Sequence, residues 1–163
     1  MTKRQEFTVR KAVSKDSSGI LKCLHEAFEP YRQAYTPEAF ADTVLTPQTL
    51  ERRFSTMSIF VATTSEGQII GTIACSQLSK GGGHIRGMAV RTAWHGSGIG
   101  QKLLEAAESE LKSRGFQCVL LDTTEPLQRA IAFYVGNGFA PSGNVKPFFG
   151  MPLYEYRKKL TGR

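Results

Sequence analysis

The sequence is short of several things, and each shortage narrows what the protein can be. Only three of its 163 residues are cysteine, Cys23, Cys75 and Cys118. They are far apart and odd in number, so no pair has zinc or dithiol spacing and no closed disulfide framework is available. Cys75 and Cys118 lie in apolar, strand-like runs, where cysteine acts as a small hydrophobe. All three are read as reduced and structural, and no metal is expected. Acidic residues are outnumbered, 14 Asp and Glu against 21 Lys and Arg, for a formal net charge of +7. That excess attracts anions in general, phosphate-rich ligands and nucleic acid among them. Yet no element alternates basic and aromatic residues as a single-strand-binding face would. The basic residues gather near the ends, at Lys3, Arg4, Arg10 and Lys11 and at Arg157, Lys158, Lys159 and Arg163. They read as solvated termini, and nucleic acid is not expected as a partner.

No apolar run reaches transmembrane length. The opening Met-Thr-Lys-Arg-Gln-Glu is not followed by the apolar stretch of a signal peptide. A cytoplasmic protein without a membrane partner is therefore expected. Linkers, low-complexity tracts and internal repeats are missing too. A hydrophobic fraction of 40% and a charged fraction of 21% are ordinary for a globular chain. Together with the length they suggest one domain over residues 1–163, with a core of its own.

What the chain does have is concentrated between His84 and Gly100. Ile85 to Val90 suits a strand, Gly96, Gly98 and Gly100 alternate through a turn, and Ile99, Leu103, Leu104, Ala107 and Leu111 follow at helical spacing. Gly115 stops that helix after Lys112 and Arg114. The glycines thus sit where a helix begins, where unpaired N–H groups and the positive end of the helix dipole invite a phosphate. By itself the pattern is equally a tight strand-to-helix turn. It is not a Walker loop, because Gln101 and Lys102 follow Gly100. A dinucleotide fingerprint needs G-x-G-x-x-G and a later acid, and Asp122 does lie about twenty residues on. The long chain ahead of the loop argues against that alternative, since such a fingerprint opens its domain.

Around this centre the other elements fall in sequence. Phe7 to Val13 is a first strand, and Ser14 or Asp16 can cap a helix bearing Ile20, Leu21, Leu24 and Phe28 until Pro30 stops it. Thr36-Pro37 and Thr46-Pro47 each place an N-cap before a first-turn proline, predicting short helices near 37–44 and 47–56. Ser58 to Ala62 and Gln68 to Leu78 form a hairpin about Ser65-Glu66-Gly67, and Lys80-Gly81-Gly82-Gly83 breaks it before the central strand. Beyond the glycine-led helix come a buried-type strand, Cys118 to Asp122, and a helix with Pro126 in its first turn and a stripe of Leu127, Ala130, Ile131 and Tyr134. A turn at Pro141-Ser142-Gly143, an apolar bend from Phe148 to Pro152 and a last strand, Leu153 to Lys158, complete the chain. The pattern predicts an α/β chain with a mixed sheet, condensed as β-α-α-β-β-β-α-β-α-β-β.

The stretch His95-Gly96-Ser97-Gly98-Ile99-Gly100 resembles motif A of the GNAT superfamily of N-acetyltransferases, Gln/Arg-x-x-Gly-x-Gly/Ala, with His95 where the family has Gln or Arg. Phe133-Tyr134-Val135-Gly136-Asn137-Gly138-Phe139 matches the family's second signature, Phe-Tyr-x-x-x-Gly-Phe, and the two occur in the family's order. The resemblance implies a largely antiparallel mixed sheet with helices on both sides, whose central strands splay to admit acetyl-CoA. It implies a pyrophosphate held around His95, Gly96, Ser97, Gly98, Ile99, Gly100 and Gln101. It also implies backbone contacts to the thioester from Met88, Ala89 and Val90.

Direct acetyl transfer to an amine needs a polarised thioester, a neutral amine and a proton for the departing thiolate. Tyr134 matches the family's general acid, whereas alone it would read as a core tyrosine on an apolar stripe. Leu127 replaces the family's Asn at the head of that helix, so the polar contact to the cofactor arm is either missing or supplied by Thr123 or Thr124. For Asp122, a cap or surface role and a site role stand side by side. His84 occupies the place of the family's glutamate base, and histidine titrates near neutrality; an exposed strand-end residue is the other reading. His25 reads as surface. Tyr31, Tyr35, Phe148 and Phe149 are the expected acceptor wall. The expected acceptor is a primary amine on a small molecule or peptide, with a homodimer left open. A coenzyme-A-binding module without turnover is the alternative.

Overall fold

The computed structural model describes residues 6–78 and 81–160. Lys3, Arg4, Lys80 and Arg163, singled out above, lie outside the described residues. The chain opens with strand β1 (Phe7–Lys11) and helix α1 (Ser17–Phe28), which ends before Pro30 as its missing N–H dictates. A short 3-10 segment, Glu29–Ala34, leads to α2 (Pro37–Val44) and α3 (Pro47–Thr56). Both Thr-Pro starts form as predicted. Thr36 Oγ1 accepts from the Ala39 N–H at 3.2 Å, and Thr46 and Thr49 exchange side-chain-to-backbone bonds in a reciprocal cap. Neither Ser14 nor Asp16 caps α1 with its side chain. The Asp16 carboxylate is instead taken by both terminal nitrogens of Arg10, at 2.8 and 2.9 Å, and by the Val13 N–H. A two-pronged, charge-assisted pair outcompetes a helix N–H. The Arg10 hydrogen bond, over the opposing effect of burial, holds the Asp16 carboxyl below its usual range.

Strands β2 (Ser58–Thr64), β3 (Ile69–Gln77) and β4 (Gly83–Val90) follow, then α4 (Ile99–Ser113), β5 (Cys118–Thr123), α5 (Gln128–Gly136), β6 (Ala140–Phe148) and β7 (Met151–Lys159). Three α-helices rather than the condensed two therefore separate β1 from β2. The helix expected to include Pro126 begins at Gln128. The turn expected at Pro141-Ser142-Gly143 is a register shift inside β6, between Pro141 and Val145. A proline and a glycine interrupt a ladder there without ending it.

The seven strands form one sheet in the order β1-β2-β3-β4-β5-β7-β6, antiparallel at every step except β4–β5. The mixed, largely antiparallel class is thus the one observed. One face carries α4, whose stripe of Ile99, Leu103, Leu104, Ala107 and Leu111 is at most 1% exposed and packs on Ile70, Ile73, Ile85 and Val119. The opposite face carries a second cluster, built from Ile20, Leu24 and Leu50 of α1 and α3 against Ile59, Val61 and Ala89. Burying a leucine of this kind contributes roughly 1.5–3 kcal/mol. Cys23 and Cys75 are buried and Cys118 is partly so, all three as free thiols; burial pushes Cys23 up to about 12 and Cys75 up to about 11.

Two features of β4 prepare the site. Its parallel ladder with β5 runs only from Gly83↔Val119 to Ile85↔Leu121, so beyond Ile85 the two strands part. On its other side, pairing with β3 shifts between Thr72↔Ala89 and Ala74↔Arg86, which inserts an extra residue at Gly87–Met88. Gly87 has φ +60°, a value that L side chains rarely tolerate.

Candidate functional site

The parting of β4 from β5 opens a cavity of about 640 Å³ that runs from the β4–α4 turn to the aromatic residues after α1. On the turn side, the helix begins with Gly98 at φ +89° and Gly96 at φ +79°, and a Cβ at either would meet nothing within 4 Å. Among the described residues no partner is recorded for the N–H groups of Gly96, Gly98, Ile99, Gly100 or Gln101, and the next one, Lys102, donates to Gly98. Open backbone donors at a helix start are the fit that a pyrophosphate requires. Two expected members are turned elsewhere. Ser97 donates both its N–H and its hydroxyl to the Trp94 carbonyl and does not line the cavity. His95 folds back so that Nε2 lies 3.0 Å from the Val90 carbonyl, although its residue borders the opening.

Met88, Ala89 and Val90 line the gap where β4 has lost β5. The Ala89 side chain is buried against α1, whereas Met88 and Val90 pack toward the α4 side. Opposite them stands Tyr134, 9% exposed, packed edge-on against Phe133 and Phe139 and also lining the cavity. Tyr134 therefore belongs to the core cluster and to the cavity wall at once. No hydrogen bond to its hydroxyl is recorded within the described residues, and burial pushes the phenol up to about 12. The proton stays on the oxygen at neutral pH.

At the end of β5 three polar side chains are sorted by their neighbours. Thr124 shares a 2.5 Å hydrogen bond with the Tyr35 hydroxyl, which ties β5 to the start of α2. Thr123 Oγ1 is buried with no partner, and its residue lines the cavity. A buried, unsatisfied hydroxyl costs about 1–3 kcal/mol; of the two threonines, this is the one whose hydroxyl has no partner among the described residues. Asp122 holds His84: its Oδ2 lies 3.3 Å from His84 Nε2, and Lys146 stands 3.9 Å from its other oxygen. Burial works against the Asp122 charge, but the His84 bond and the charges of Lys146, His84 and Arg86 prevail, so its carboxyl is held below the ordinary value.

The His84 side chain is only 14% exposed and borders the cavity, so it is not a solvent-facing strand end. His25 is exposed, as expected. The pairing of Asp122 with His84 is not among the readings of the sequence, because nothing in spacing joins residues 84 and 122; parallel pairing of β4 with β5 does.

The acceptor side was expected from Tyr31, Tyr35, Phe148 and Phe149. Tyr31, Tyr35 and Phe148 line the cavity and belong to a cluster with Phe40 and Met151. Phe149 does not: its ring is 54% exposed and its backbone sits at φ +47°. Its carbonyl instead accepts from Thr36 Oγ1 at 2.7 Å, which fastens the β6–β7 turn to the start of α2. A residue missed in sequence, Arg53 of α3, enters the same half of the cavity. Among the described residues no group of three or more His, Cys, Asp or Glu side chains could hold a metal, and no helix is long and apolar enough to cross a membrane.

The acetyltransferase (GNAT) family model matches residues 20–139. A curated relative, N-alpha-acetyltransferase 30 of Schizosaccharomyces pombe, is 33% identical over 84 residues, 49% of this chain and 55% of that protein. The chain thus spans about half the length of that relative. Among solved structures, a GNAT-family acetyltransferase of Staphylococcus aureus Mu50 superposes with a TM-score of 0.78 at 18% identity, over 96% of this chain and 100% of the other. PaiA N-acetyltransferase of Thermoplasma acidophilum, solved with coenzyme A, gives 0.77 at 18% identity, over 94% and 99%. The ribosomal-protein-S18-alanine N-acetyltransferase of Escherichia coli gives 0.75 at 16% identity, over 97% and 96%. At these identities the likeness to solved structures is one of fold.

Proposed function

The chain belongs to the acetyltransferase (GNAT) family, and from that premise we propose that it transfers an acetyl group from acetyl-CoA to a primary amine of a small molecule or peptide, with residues 1–163 as one catalytic domain. The observation that carries the reading is the single cavity between the parted β4 and β5. It joins the open N–H groups after Gly96 to Tyr134 on one wall and to His84 on the other. Acetyl-CoA supplies the activated thioester. The N–H groups of Gly96, Gly98, Ile99, Gly100 and Gln101 hold the pyrophosphate, and Thr123 Oγ1 offers a hydrogen bond to the arm.

In this proposal Tyr134 acts as the acid. A phenol pushed up to about 12 is fully protonated at neutral pH and so is available as a proton donor. A thiol titrates at about 8.5, so full transfer to the departing thiolate is uphill and takes place only over a short distance, as the carbon–sulfur bond breaks. His84 acts as the base. With Nε2–H donated to Asp122, Nδ1 keeps the lone pair and takes the proton from the attacking amine, directly or through one water. Asp122 is then a positioning residue that selects the tautomer. The amine's proton goes to His84 and the Tyr134 proton to the coenzyme A sulfur, so the transfer balances.

The test is thermal unfolding with acetyl-CoA, followed by transfer assays against an amine panel. Ligand at about a hundredfold excess over its dissociation constant should raise the melting temperature by roughly 5 °C or more. Transfer to at least one amine, with coenzyme A released in equal amount, supports the reading. Binding without transfer to any amine makes the chain a coenzyme-A-binding module instead.

A further inference from the structure

The half of the cavity away from the glycine turn contains a cation with no partner among the described residues. Helix α3 turns Leu50 and Phe54 toward the core, and Arg53, three positions after Leu50, lies on the same side of the helix as Leu50. Its side chain is half-buried in the cavity wall and lies across the backbone of β4 at Gly87. A Cβ at residue 87 would overlap the Arg53 guanidinium, so the glycine makes room for it as well as accepting φ +60°. Among the described residues Arg53 has no hydrogen bond to any acceptor and no acidic group within 4.0 Å. Asp42, the acid whose charge reaches it, is engaged by Arg86 at 3.3 Å. Burial first, and then the Arg86 charge, push the guanidinium down to about 10. The surroundings therefore oppose the positive charge more than they support it, and an anion brought into this half of the cavity relieves that.

This cation is not placed to serve the pyrophosphate. Arg53 comes from α3, on the Ala89 side of the sheet, whereas the open N–H groups begin at Gly96 beyond the strand's end, beside α4. It shares its half with Tyr31, Tyr35 and His84. His84 precedes Gly87 by three residues on β4, about 10 Å at strand rise. An amine held at His84 thus leaves the remainder of its molecule facing Arg53.

We propose that Arg53 is the specificity residue of the acceptor site, and that the acceptor is an amine that also carries a carboxylate, gripped by the Arg53 guanidinium while its amino group faces His84. A carboxylate is favoured over a phosphate by charge. One unpaired guanidinium matches one negative charge, because Arg86 already has Asp42. The planar fork of arginine also fits the two carboxylate oxygens. The inference rests on the acetyl-transfer reading for the identity of the amine, but the site itself can be tested by binding alone.

The experiment is calorimetric titration of the coenzyme-A-loaded protein with N-acetylated ω-amino acids of increasing chain length, each beside its primary amide and its phosphonate analogue. At the fitting length the carboxylate should bind about tenfold or more tighter than the amide. Arg53→Gln should erase that gap, while coenzyme A affinity, read in the same sample, reports an intact fold. Should Arg53→Gln fail to bind coenzyme A, Arg53→Lys decides: with the charge kept and the fork lost, the gap should shrink severalfold but persist.

The inference is overturned if the wild type shows no gap at any length, or if the gap survives Arg53→Gln. It is also overturned if the phosphonate binds tighter than the carboxylate, or if acid and amide weaken equally, which would place the guanidinium on the acetyl carbonyl. A carboxylate gap without transfer to any amine would remove the proposed function and leave this site standing. Transfer without a gap would do the reverse.

Discussion

The two halves of the cavity are built from different materials. The half at the β4–α4 turn is made of backbone: the N–H groups of residues 96 and 98–101, opened by glycines at φ +79° and +89°. The other half is made of side chains from distant segments: Tyr31 and Tyr35 after α1, Arg53 on α3, His84 on β4, Asp122 on β5 and Phe148 at the β6–β7 turn. A backbone site needs only the right φ values and a helix start, so a few neighbouring residues specify it, and it can serve any member of a family that uses the same cosubstrate. A side-chain site can change one residue at a time without disturbing the sheet. On the proposed reading, the first half holds the cosubstrate, and the second half holds the acceptor together with the base that deprotonates it.

The largest effect is expected where the two halves meet. Tyr134→Phe removes one oxygen and keeps the ring against Phe133 and Phe139. It should lower the single-turnover transfer rate by about a hundredfold or more, the usual contribution of a general acid, with acetyl-CoA affinity unchanged. An unaltered rate where chemistry limits turnover would make Tyr134 a core residue only.

A smaller effect belongs to the backbone half alone. Gly98→Val puts a β-branched side chain at φ +89° and crowds the approach to the helix start. The strain is roughly 1–2 kcal/mol, so acetyl-CoA should bind about tenfold or more weakly. If the variant folds and binds acetyl-CoA as before, the pyrophosphate is held elsewhere.

The smallest effect is expected at the side-chain half, in Asp122→Asn, which keeps the shape beside His84 but not the charge. The Asp122 carboxyl is held below its unfolded value near 3.9. Its stabilising effect is therefore present above that value and lost as pH falls through the lower, folded one. The variant should be less stable by on the order of 1 kcal/mol at neutral pH, and the gap should close in acid. Its transfer rate should fall by about tenfold through loss of the favoured tautomer, with the acid limb of the pH profile displaced. A stability gap that is constant from neutral to acid pH would show that the charge is not what Asp122 contributes.

Local signals were legible in the chain to the extent that their physics is local. The Thr-Pro caps, the stop at Pro30 and the apolar stripe of α4 each depend on residues within a turn of one another, and each formed as read. The Asp16 cap failed because a residue six positions earlier, Arg10, competes for the carboxylate. Phe149 and Ser97 left the cavity for local reasons: a backbone kink at φ +47° throws the first ring outward, and the Trp94 carbonyl claims the second side chain. Arg10 reaches Asp16 from strand β1, whereas Phe149 and Ser97 are turned by local backbone geometry that residue types and spacing do not reveal.

By itself, then, the chain determined its helices and strands, its glycine-led helix start and the order of its two family signatures, because backbone preferences and periodic burial act between near neighbours. Only the tertiary structure decided that β4 and β5 part after Ile85, that Asp122 turns to His84, that Thr124 is spent on Tyr35 while Thr123 is left open, and that Arg53 crosses Gly87 without an acid to meet it. Those pairings join residues dozens of positions apart, and they depend on which atom of each side chain is already taken. Hydrogen-bond capacity and charge are shared out only after the strands have been brought together.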